Sequence, residues 1–251
     1  MKADKTVVIT GGGKGIGAAI SRVFHAAGYR VAIGSRGDSG LAAELGERAL
    51  FAETDVRDPV SLTALMGAAA EWAGGVDAVV NNAGYSQWRP AAEVDEEFWD
   101  RMVDTNLKGT FFGCQAAGLH LQAGGAVVNI SSLAAKRGSA NNAVYCASKF
   151  GINGITQALA KEWGKRGIRV NAVCPVYVRT KGLMEALEAE DAPPGGGNVE
   201  AYLQDFAASQ AALGVLPTGE QIGQASLFLA SPGAAAITGQ CINVDCGVLP
   251  Q

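Results

Sequence analysis

TGGGKGIG, at residues 10–17, joins a short apolar run at Thr6 to Thr10 to a helical pattern that begins at Ile16. Its glycines follow the spacing G-x-x-x-G-x-G rather than the commoner G-x-G-x-x-G. Glycine allows left-handed backbone conformations and lets backbone N–H groups approach another group closely. A strand, a glycine-rich turn and a helix in this order predict the first unit of an α/β fold.

The same alternation of short apolar runs and longer helical patterns continues along the chain. Predicted strands cover residues 6–10, 30–34, 49–52, 76–80, 126–130, 168–173 and 240–244. Predicted helices cover residues 16–27, 41–45, 60–73, 96–120 (one long or broken helix), 144–165 and 220–230. Asp58 is the predicted N-cap of the helix at 60–73. This alternation predicts a doubly wound parallel sheet with helices on both faces. Such sheets bind ligands beyond the carboxyl ends of their strands.

The composition excludes several classes of protein. The chain has 251 residues, 34 of them glycine, with 48% apolar residues and a net charge of −4, which is unlike a disordered chain. The acidic balance argues against nucleic acid as a partner, and no stretch approaches the roughly 20 apolar residues of a membrane span. Five cysteines without a C-x-x-C pair, and only two histidines, predict a reduced, cytoplasmic setting and no metal site. We expect one domain over residues 1–251.

The glycine-rich turn predicts a dinucleotide site at the start of the first helix. Backbone N–H groups and the dipole of a helix N-terminus favour a pyrophosphate, and a dinucleotide fold places such a turn in its first strand–turn–helix unit. The alternative is an ordinary tight turn. The contacts expected from this turn come from Gly11, Gly13, Lys14, Gly15, Ile16 and Gly17.

The end of the second strand, Gly34-Ser35-Arg36, bears on the choice of dinucleotide. A carboxylate at this place would bind the ribose hydroxyls of NAD, whereas Arg36 and Lys14 together could neutralise a 2′-phosphate. The sequence therefore favours NADP(H) over NAD(H), with contacts from Ser35 and Arg36. The alternative is that Arg36 is solvated and that Asp38 plays the acidic role.

Two further strand ends carry residues that suit the same ligand. Asp55-Val56 follows the third strand, where the carboxylate could accept a hydrogen bond from the adenine amino group. Asn82-Ala83-Gly84 follows the fourth strand, where small residues would let the backbone lie against ribose and nicotinamide. Each stretch taken alone is an ordinary turn. Their occurrence at consecutive strand ends strengthens the prediction of a dinucleotide site.

A tyrosine and a lysine predict acid/base chemistry near the start of the helix at 144–165. Tyr145 and Lys149 are four residues apart, which places both on one helical face. A neighbouring ammonium is expected to lower the pKa of the phenol and make it a usable acid or base. Ser132, at a strand end, could stabilise a substrate oxygen, and Asn106 could interrupt its helix and hold a water. The alternatives are a surface pair, a capping serine and a packing amide.

In their order and spacing these residues resemble the short-chain dehydrogenase/reductase family, in its form of about 250 residues, over essentially the whole chain. The matching pieces are TGGGKGIG at 10–17, Asp55, Asn82-Ala83-Gly84, Asn106, Ser132, Tyr145 with Lys149, Asn171 within RVNAVCP at 169–175, and Ile237-Thr238-Gly239-Gln240. The resemblance implies a Rossmann-type sheet of seven strands in the order 3-2-1-4-5-6-7. It also implies a homo-oligomer, often a tetramer, with the helices at 96–120 and 144–165 at one interface.

The resemblance also implies roles for individual residues. Tyr145 would exchange a proton with the substrate oxygen, Lys149 would hold the nicotinamide ribose and lower the pKa of the tyrosine, and Ser132 would orient the substrate oxygen. Asn106 would position a water that feeds a proton relay through Lys149. Further cofactor contacts are expected from Pro175, Val178 and Thr180, in addition to Tyr145 and Lys149.

Two departures from the family pattern stand out. Pro175-Val176 replaces the usual Pro-Gly after the sixth strand. A Cβ there would narrow the space by the nicotinamide or force the backbone out of any positive φ. Val244-Asp245-Cys246-Gly247 replaces Val-Asp-Gly-Gly, which could perturb subunit packing or leave a small buried cysteine.

The substrate is the least determined part of the prediction. Residues 181–213 would form a lid, and the candidate pocket residues are Tyr85, Gln87, Trp88 and Met184 together with Ser132. Lys136-Arg137 could contact an anionic group or remain solvated. The favoured function is a reductase or dehydrogenase for a small-molecule ketone and secondary alcohol. The alternatives are a 3-oxoacyl-carrier-protein reductase, an NAD-dependent polyol or hydroxy-acid dehydrogenase, and a non-catalytic dinucleotide-binding scaffold.

Overall fold

A seven-stranded parallel sheet runs through the computed structural model, which describes residues 5–250. In chain order the strands are β1 (Thr6–Thr10), β2 (Arg30–Ser35), β3 (Ala49–Glu53), β4 (Val76–Asn81), β5 (Leu121–Ile130), β6 (Arg169–Pro175) and β7 (Cys241–Val244). Their spatial order is β3-β2-β1-β4-β5-β6-β7, which confirms the order predicted from the family resemblance. Residues 1–4 and 251, which the predicted domain includes, lie outside the described residues.

Helices cover both faces of this sheet, as the doubly wound prediction requires. They are α1 (Gly15–Ala26), α2 (Leu41–Leu45), α3 (Pro59–Ala73), α4 (Glu96–Val103), α5 (Gly109–His120), α6 (Ala143–Trp163), α7 (Lys181–Leu187), α8 (Val199–Gln210) and α9 (Gly219–Ala230). The predicted N-cap of α3 is confirmed, because the Asp58 carboxylate accepts from the backbone N–H of Val60 at 2.9 Å. No helix within residues 5–250 combines the length and the apolar content needed to cross a membrane.

The two faces bury separate apolar layers because side chains alternate along each strand. On β1, Val7 and Ile9 pack with Phe24 of α1 in one cluster, whereas Val8 packs with Met66 of α3 in the other. All five of these side chains are fully buried. Complete burial of a side chain of this size stabilises the fold by about 1.5–3 kcal/mol, so both layers hold the sheet in place.

The predicted helix at 96–120 is broken. A π-helical turn, Asp104–Lys108, separates α4 from α5, and Asn106 lies in it, as expected for an asparagine that interrupts a helix. The strand after α5 is longer than predicted, because β5 begins at Leu121 rather than at Ala126. The segment 181–213 contains two helices, α7 and α8, with turns between them.

A buried hydrogen-bond network ties the central strands to α6. The Asn81 side chain of β4 donates to the Asn129 side chain of β5 at 2.9 Å, and Asn129 donates to the Thr156 hydroxyl of α6 at 2.9 Å. All three residues are buried. Because a buried polar group left unpaired is costly, this network fixes α6 against the carboxyl half of the sheet.

Both departures from the family pattern are accommodated in one small apolar cluster. Val176 does not have a positive φ, so its backbone does not adopt the left-handed conformation that would require a glycine. Val176 and Cys246 pack together with Leu133 and Phe206. Cys246 itself keeps a left-handed backbone, with φ of 56°, which is strained for a residue with a Cβ.

Candidate active site

A cavity of about 620 Å³ opens beyond the carboxyl ends of β1, β4, β5 and β6. Several expected cofactor residues line it: Gly11, Lys14, Gly15, Ile16, Gly17, Asn82, Ala83, Gly84, Pro175, Val178 and Thr180. Three of the four expected catalytic residues, Ser132, Tyr145 and Lys149, line the same cavity. The structure therefore brings both sets together at the edge of the sheet where ligands of this fold class bind.

The glycine-rich turn is packed so tightly that Gly17 has no room for a side chain. A Cβ on Gly17 would lie 2.1 Å from the carbonyl oxygen of Gly11. Gly11 has φ of 64°, and its carbonyl oxygen accepts from the Asn82 side chain at 3.2 Å. The Thr10 hydroxyl accepts from the backbone N–H groups of Asn82 and Ala83. The turn and the end of β4 therefore form one rigid unit.

The first turn of α1 fits an anionic group. Lys14 occupies the N-cap position without a side-chain cap, and the first turn contains no acidic residue. Backbone N–H groups at such a helix start lack partners within the helix and carry partial positive charge. The exposed Lys14 adds a full charge at the same place. These residues fit the pyrophosphate of a dinucleotide.

The residues expected around the adenosine lie outside the cavity, at the ends of β2 and β3. Arg36 is exposed, and Asp38 is engaged locally, since its carboxylate accepts from the Gly40 backbone N–H at 2.8 Å. Asp55 forms a two-point pair with Arg57, with contacts of 3.0 and 2.5 Å. Arg57 was not singled out from the sequence. Its hydrogen bonds, and more weakly the charge of Arg36, lower the pKa of Asp55.

Val56 and Gly13 also lie off the cavity wall. Val56 is buried, and a Cβ on Gly109 would lie 3.0 Å from its side chain. Gly13 faces Ser39, whose hydroxyl oxygen would lie 2.6 Å from an added Cβ. Ser35 donates to the carbonyl of Gly37 at 3.0 Å. The structure thus gives Val56 a packing position and gives Gly13 and Ser35 positions in the loops around the ends of β1 and β2.

Tyr145 and Lys149 share one face of α6, but their electrostatics differ from the sequence prediction. The Lys149 ammonium lies 5.6 Å from the centre of the Tyr145 ring and donates to the Ile130 carbonyl at 2.9 Å. The expected lowering of the tyrosine pKa is wrong for this arrangement. Desolvation raises the pKa of Tyr145 to about 12, although a hydrogen bond with Ser132 opposes that rise. Desolvation likewise lowers the pKa of Lys149 to about 8.

Ser132 is fixed beside Tyr145 by the end of β5. Its hydroxyl accepts from the Ala134 backbone N–H at 3.1 Å, so the capping alternative is also realised. One residue earlier, Ser131 donates to the Lys149 carbonyl at 3.3 Å. These contacts join the strand end to α6 and hold the serine and tyrosine hydroxyls within hydrogen-bond reach of each other.

Asn106 is buried, and its side chain binds the backbone of the segment after β4. Its side-chain oxygen accepts from the Tyr85 N–H at 3.0 Å, and its amide donates to the Tyr85 carbonyl at 2.9 Å. The same amide lies 3.4 Å from the Ser148 hydroxyl on α6. Asn106 does not line the cavity; it anchors the wall that carries Tyr85.

The expected substrate residues divide into two groups. Tyr85 and Trp88 line the cavity, whereas Met184 and Gln87 do not. Met184 packs instead against the apolar cluster that contains Leu187 and Leu203, because α7 turns that side chain toward α8. The expectation that Met184 lines the pocket is therefore not met.

The two basic residues of the loop between Ser132 and Tyr145 have different surroundings. Lys136 donates to the Cys241 carbonyl at 2.6 Å, whereas the exposed Arg137 lies on the cavity wall. Lining residues that sequence reasoning did not single out include Ser86, Leu133, Asn142, Tyr177, Leu183 and Phe206. Tertiary folding brings them together, and no local sequence pattern marks them.

Comparison with known proteins agrees with this geometry. A family model described as enoyl-(acyl carrier protein) reductase matches residues 11–249. The chain is 38% identical to D-threitol dehydrogenase from Mycolicibacterium smegmatis, over 97% of this chain and 92% of that protein.

Two solved structures are also similar. One, from Brucella melitensis, is described as a short-chain dehydrogenase/reductase and glucose/ribitol dehydrogenase. It has a TM-score of 0.89, 32% identity and coverage of 100% of this chain and 99% of that chain. The other is a variant of actinorhodin polyketide ketoreductase with NADPH, with a TM-score of 0.89, 33% identity and coverage of 99% and 98%.

The family match, the curated relative and both structures cover nearly all of the chain. The two solved structures agree with the strand order of the sheet. The chain therefore belongs to the short-chain dehydrogenase/reductase family, whose members are NAD(P)-dependent oxidoreductases that act on CH–OH groups.

Proposed function

We propose that this chain interconverts a ketone and a secondary alcohol on a small molecule, using NADP(H), with Tyr145 as the acid and base. The observation that carries the proposal is the shared cavity, in which Ser132, Tyr145 and Lys149 lie beside the glycine-rich turn. When bound, the nicotinamide cofactor would supply the hydride in reduction or accept it in oxidation. The chain's own residues would bind and orient the substrate and transfer the proton.

Tyr145 suits the proton transfer that carbonyl reduction requires. Because its pKa is raised to about 12, the phenol is protonated at neutral pH and can donate to the oxygen of a substrate. Ser132, which lies close enough to the Tyr145 hydroxyl to lower its pKa, would hold that oxygen in place and stabilise the charge that develops on it. In the direction of alcohol oxidation the Tyr145 phenolate would accept the proton from the alcohol.

Lys149 would support the proton transfer by Tyr145 and the orientation of the substrate oxygen by Ser132. Its ammonium is anchored to the Ile130 carbonyl, at the end of the strand that carries Ser132. Since desolvation lowers its pKa to about 8, it can exchange a proton in the physiological range. Asn106 would act as a positioning residue through the Tyr85 backbone.

The test of this function is a screen of ketones and secondary alcohols followed by NADPH or NADH absorbance. Compounds related to D-threitol and to polyketide ketones deserve inclusion, because proteins with those names resemble this chain. We expect turnover of at least one ketone or secondary alcohol, with NADP(H) preferred. The absence of turnover with either cofactor across both directions would contradict the proposal.

The preference for NADP(H) is supported by the end of β2. No carboxylate follows the strand at Ser35-Arg36, and the nearby Asp38 is engaged with its own turn. Arg36 is exposed directly after β2, where we expect a 2′-phosphate to bind. A guanidinium suits a phosphate because it can donate two parallel hydrogen bonds.

Replacing Arg36 with alanine should weaken NADPH binding by about ten- to a hundredfold, because a hydrogen bond to a charged group contributes about 1.5–3 kcal/mol. Fluorescence titration of the free enzyme measures this directly. NADH affinity in the same variant is the internal control and should stay unchanged. Arg22→Ala, which removes an exposed arginine paired with Glu44, is a second control. Tighter NADH than NADPH binding in the wild type would overturn the assignment.

We also propose that the chain forms a homo-oligomer, a tetramer, through α4, α5 and α6. Four large apolar side chains are exposed on these helices: Trp99, Phe111, Leu119 and Phe150. A contiguous patch of exposed apolar residues is typical of an interface, and α4 and α5 both contact α6. The region matches the two predicted helices at 96–120 and 144–165.

Light scattering of the wild type should give four times the mass of one chain. Leu119→Glu, at a side chain that is 71% exposed, should shift the protein to smaller species, because a charge would be buried without a partner. Val60→Glu on α3, where the side chain is 75% exposed, is the matched control and should leave the mass unchanged. A monomeric wild type would refute the proposal.

A further inference from the structure

Three buried polar atoms on residues of the cavity wall have no hydrogen-bond partner among residues 5–250. They are the Ser86 hydroxyl oxygen, the Trp88 indole nitrogen and the Asn142 side-chain oxygen. Buried polar atoms in folded proteins are nearly always paired, because an unpaired one is costly. The occurrence of three on the lining of one cavity points to a ligand that pairs with them.

Trp88 is held in a fixed position by its ring. The side chain is only 4% exposed and packs in the cluster that contains Leu187 of α7 and Leu203 of α8. An indole nitrogen can only donate a hydrogen bond. The cavity wall therefore carries a buried donor whose position is fixed by apolar packing.

Asn142 occupies the N-cap position of α6, three residues before Tyr145, but it does not cap the helix. An asparagine at this position ordinarily accepts from a backbone N–H of the first turn, and Asn142 makes no such bond. The residue is 5% exposed. Its side-chain oxygen is a buried acceptor that the helix leaves unused.

The segments that carry Trp88 and Asn142 are fastened to each other. The backbone N–H of Arg89 donates to the carbonyl of Asn141 at 2.6 Å. The Asn141 side chain donates in turn to the Asp191 carbonyl at 3.0 Å, and Asn141 holds a left-handed backbone with φ of 55°. These contacts join the two stretches of the cavity wall that carry the donor and the acceptor.

We propose that Ser86, Trp88 and Asn142 form a second polar subsite that binds a hydroxyl group of the substrate other than the one that reacts. A hydroxyl both accepts and donates, so it can accept from the Trp88 indole and donate to the Asn142 oxygen. The Ser86 hydroxyl can either donate a hydrogen bond to the substrate hydroxyl or accept one from it. The inference rests on the proposed function and assigns its substrate to the diols, polyols and hydroxyketones.

The acceptor in this subsite discriminates against a carboxylate. An ionised carboxylate can only accept hydrogen bonds, so it would leave the Asn142 oxygen unpaired and facing another negative atom. A second carbonyl would leave it unpaired in the same way. The exposed Arg137 at the cavity wall would instead favour a substrate that carries a carboxylate. The experiment distinguishes a preference for a remote hydroxyl from a preference for a carboxylate.

The experiment compares kcat/KM for each diol with that for the mono-alcohol that lacks its remote hydroxyl. Suitable pairs are butane-2,3-diol with butan-2-ol, pentane-2,4-diol with pentan-2-ol and hexane-2,5-diol with hexan-2-ol, with 4-hydroxypentanoate as the anionic compound. At least one diol should exceed its partner by about tenfold or more, which corresponds to one hydrogen bond of about 1.4 kcal/mol. The anionic compound should show no such gain.

Two variants test the residues. Trp88→Phe removes the indole N–H while keeping an aromatic ring, and Asn142→Ala removes the acceptor. Each should reduce the diol-to-mono-alcohol ratio by about tenfold. The readout is a ratio, so a general loss of activity affects both of its members alike. Trp72→Phe on α3, outside the cavity, is the matched control and should keep the ratio.

The outcomes are distinct. Equal kcat/KM for diols and mono-alcohols in the wild type, or a diol preference that survives in both variants, would overturn the subsite. A gain for 4-hydroxypentanoate that matches the gain for the diols would overturn the discrimination against carboxylates. If neither diols nor mono-alcohols are turned over with NADP(H) or NAD(H), the proposed function fails and the subsite fails with it.

Discussion

Replacing Tyr145 with phenylalanine should lower kcat for ketone reduction by about 10²- to 10⁴-fold, the contribution of a positioned general acid. The substitution removes only the hydroxyl. The ring keeps its contacts with the apolar cluster of Phe98, Met102 and Val144, so the fold should be unaffected. Steady-state kinetics with the best ketone of the screen measure the loss.

Two controls separate chemistry from binding and folding. NADPH affinity of Tyr145→Phe, measured by fluorescence titration, should stay close to that of the wild type, because the glycine-rich turn and α1 are untouched. Tyr29→Phe removes a hydroxyl from a buried tyrosine that packs against Phe24, on the other face of the sheet, and should keep full activity. A Tyr145→Phe enzyme with wild-type kcat would eliminate the proposed mechanism.

Replacing Gly17 with alanine should damage both stability and dinucleotide binding. The new Cβ would lie 2.1 Å from the carbonyl oxygen of Gly11 and 2.5 Å from the Asn82 amide nitrogen. The first of these atoms belongs to the backbone, so the turn itself must move. Overpacking of this kind costs about 1–3 kcal/mol. The melting temperature should fall, and NADPH affinity should fall by about ten- to a hundredfold, because about 1.4 kcal/mol corresponds to a factor of ten.

A glycine in open space provides the control for that substitution. Gly67 lies within α3, and a Cβ added there would meet nothing within 4 Å. Gly67→Ala should therefore leave NADPH affinity unchanged and raise the free energy of unfolding by up to about 1 kcal/mol, since alanine is the better helix former. Wild-type stability and affinity in Gly17→Ala would show that the turn is more adaptable than its packing indicates.

The parts of the fold that sequence predicted are those set by local patterns. Apolar strands that alternate with helical periodicity determine a parallel sheet, and the glycine-rich turn marks its first crossover. The Asp58 cap is likewise a local signal. The strand order came from the family resemblance and is confirmed by the pairing of the strands.

The parts of the site that sequence missed depend on contacts between distant segments. Arg57 pairs with Asp55 across a turn, and Lys136 reaches the Cys241 carbonyl 105 residues away. The pKa of Tyr145 was predicted from its spacing to Lys149 alone, whereas the loss of hydration around the hydroxyl dominates. Which polar atoms remain unpaired, as for Trp88 and Asn142, depends on every neighbour in the folded chain.

The π-helical turn at Asp104–Lys108 is equivalent to one residue inserted into a continuous helix. Deleting a single residue there would let α4 and α5 merge, and the two would rotate relative to each other by about 100°. Asn106 would then turn away from the Tyr85 backbone, and the exposed Trp99 and Phe111 would no longer keep their present relation. The π-helical turn therefore fixes how α4 is rotated about the helix axis relative to α5. A substitution in this segment should be tolerated better than an insertion or a deletion.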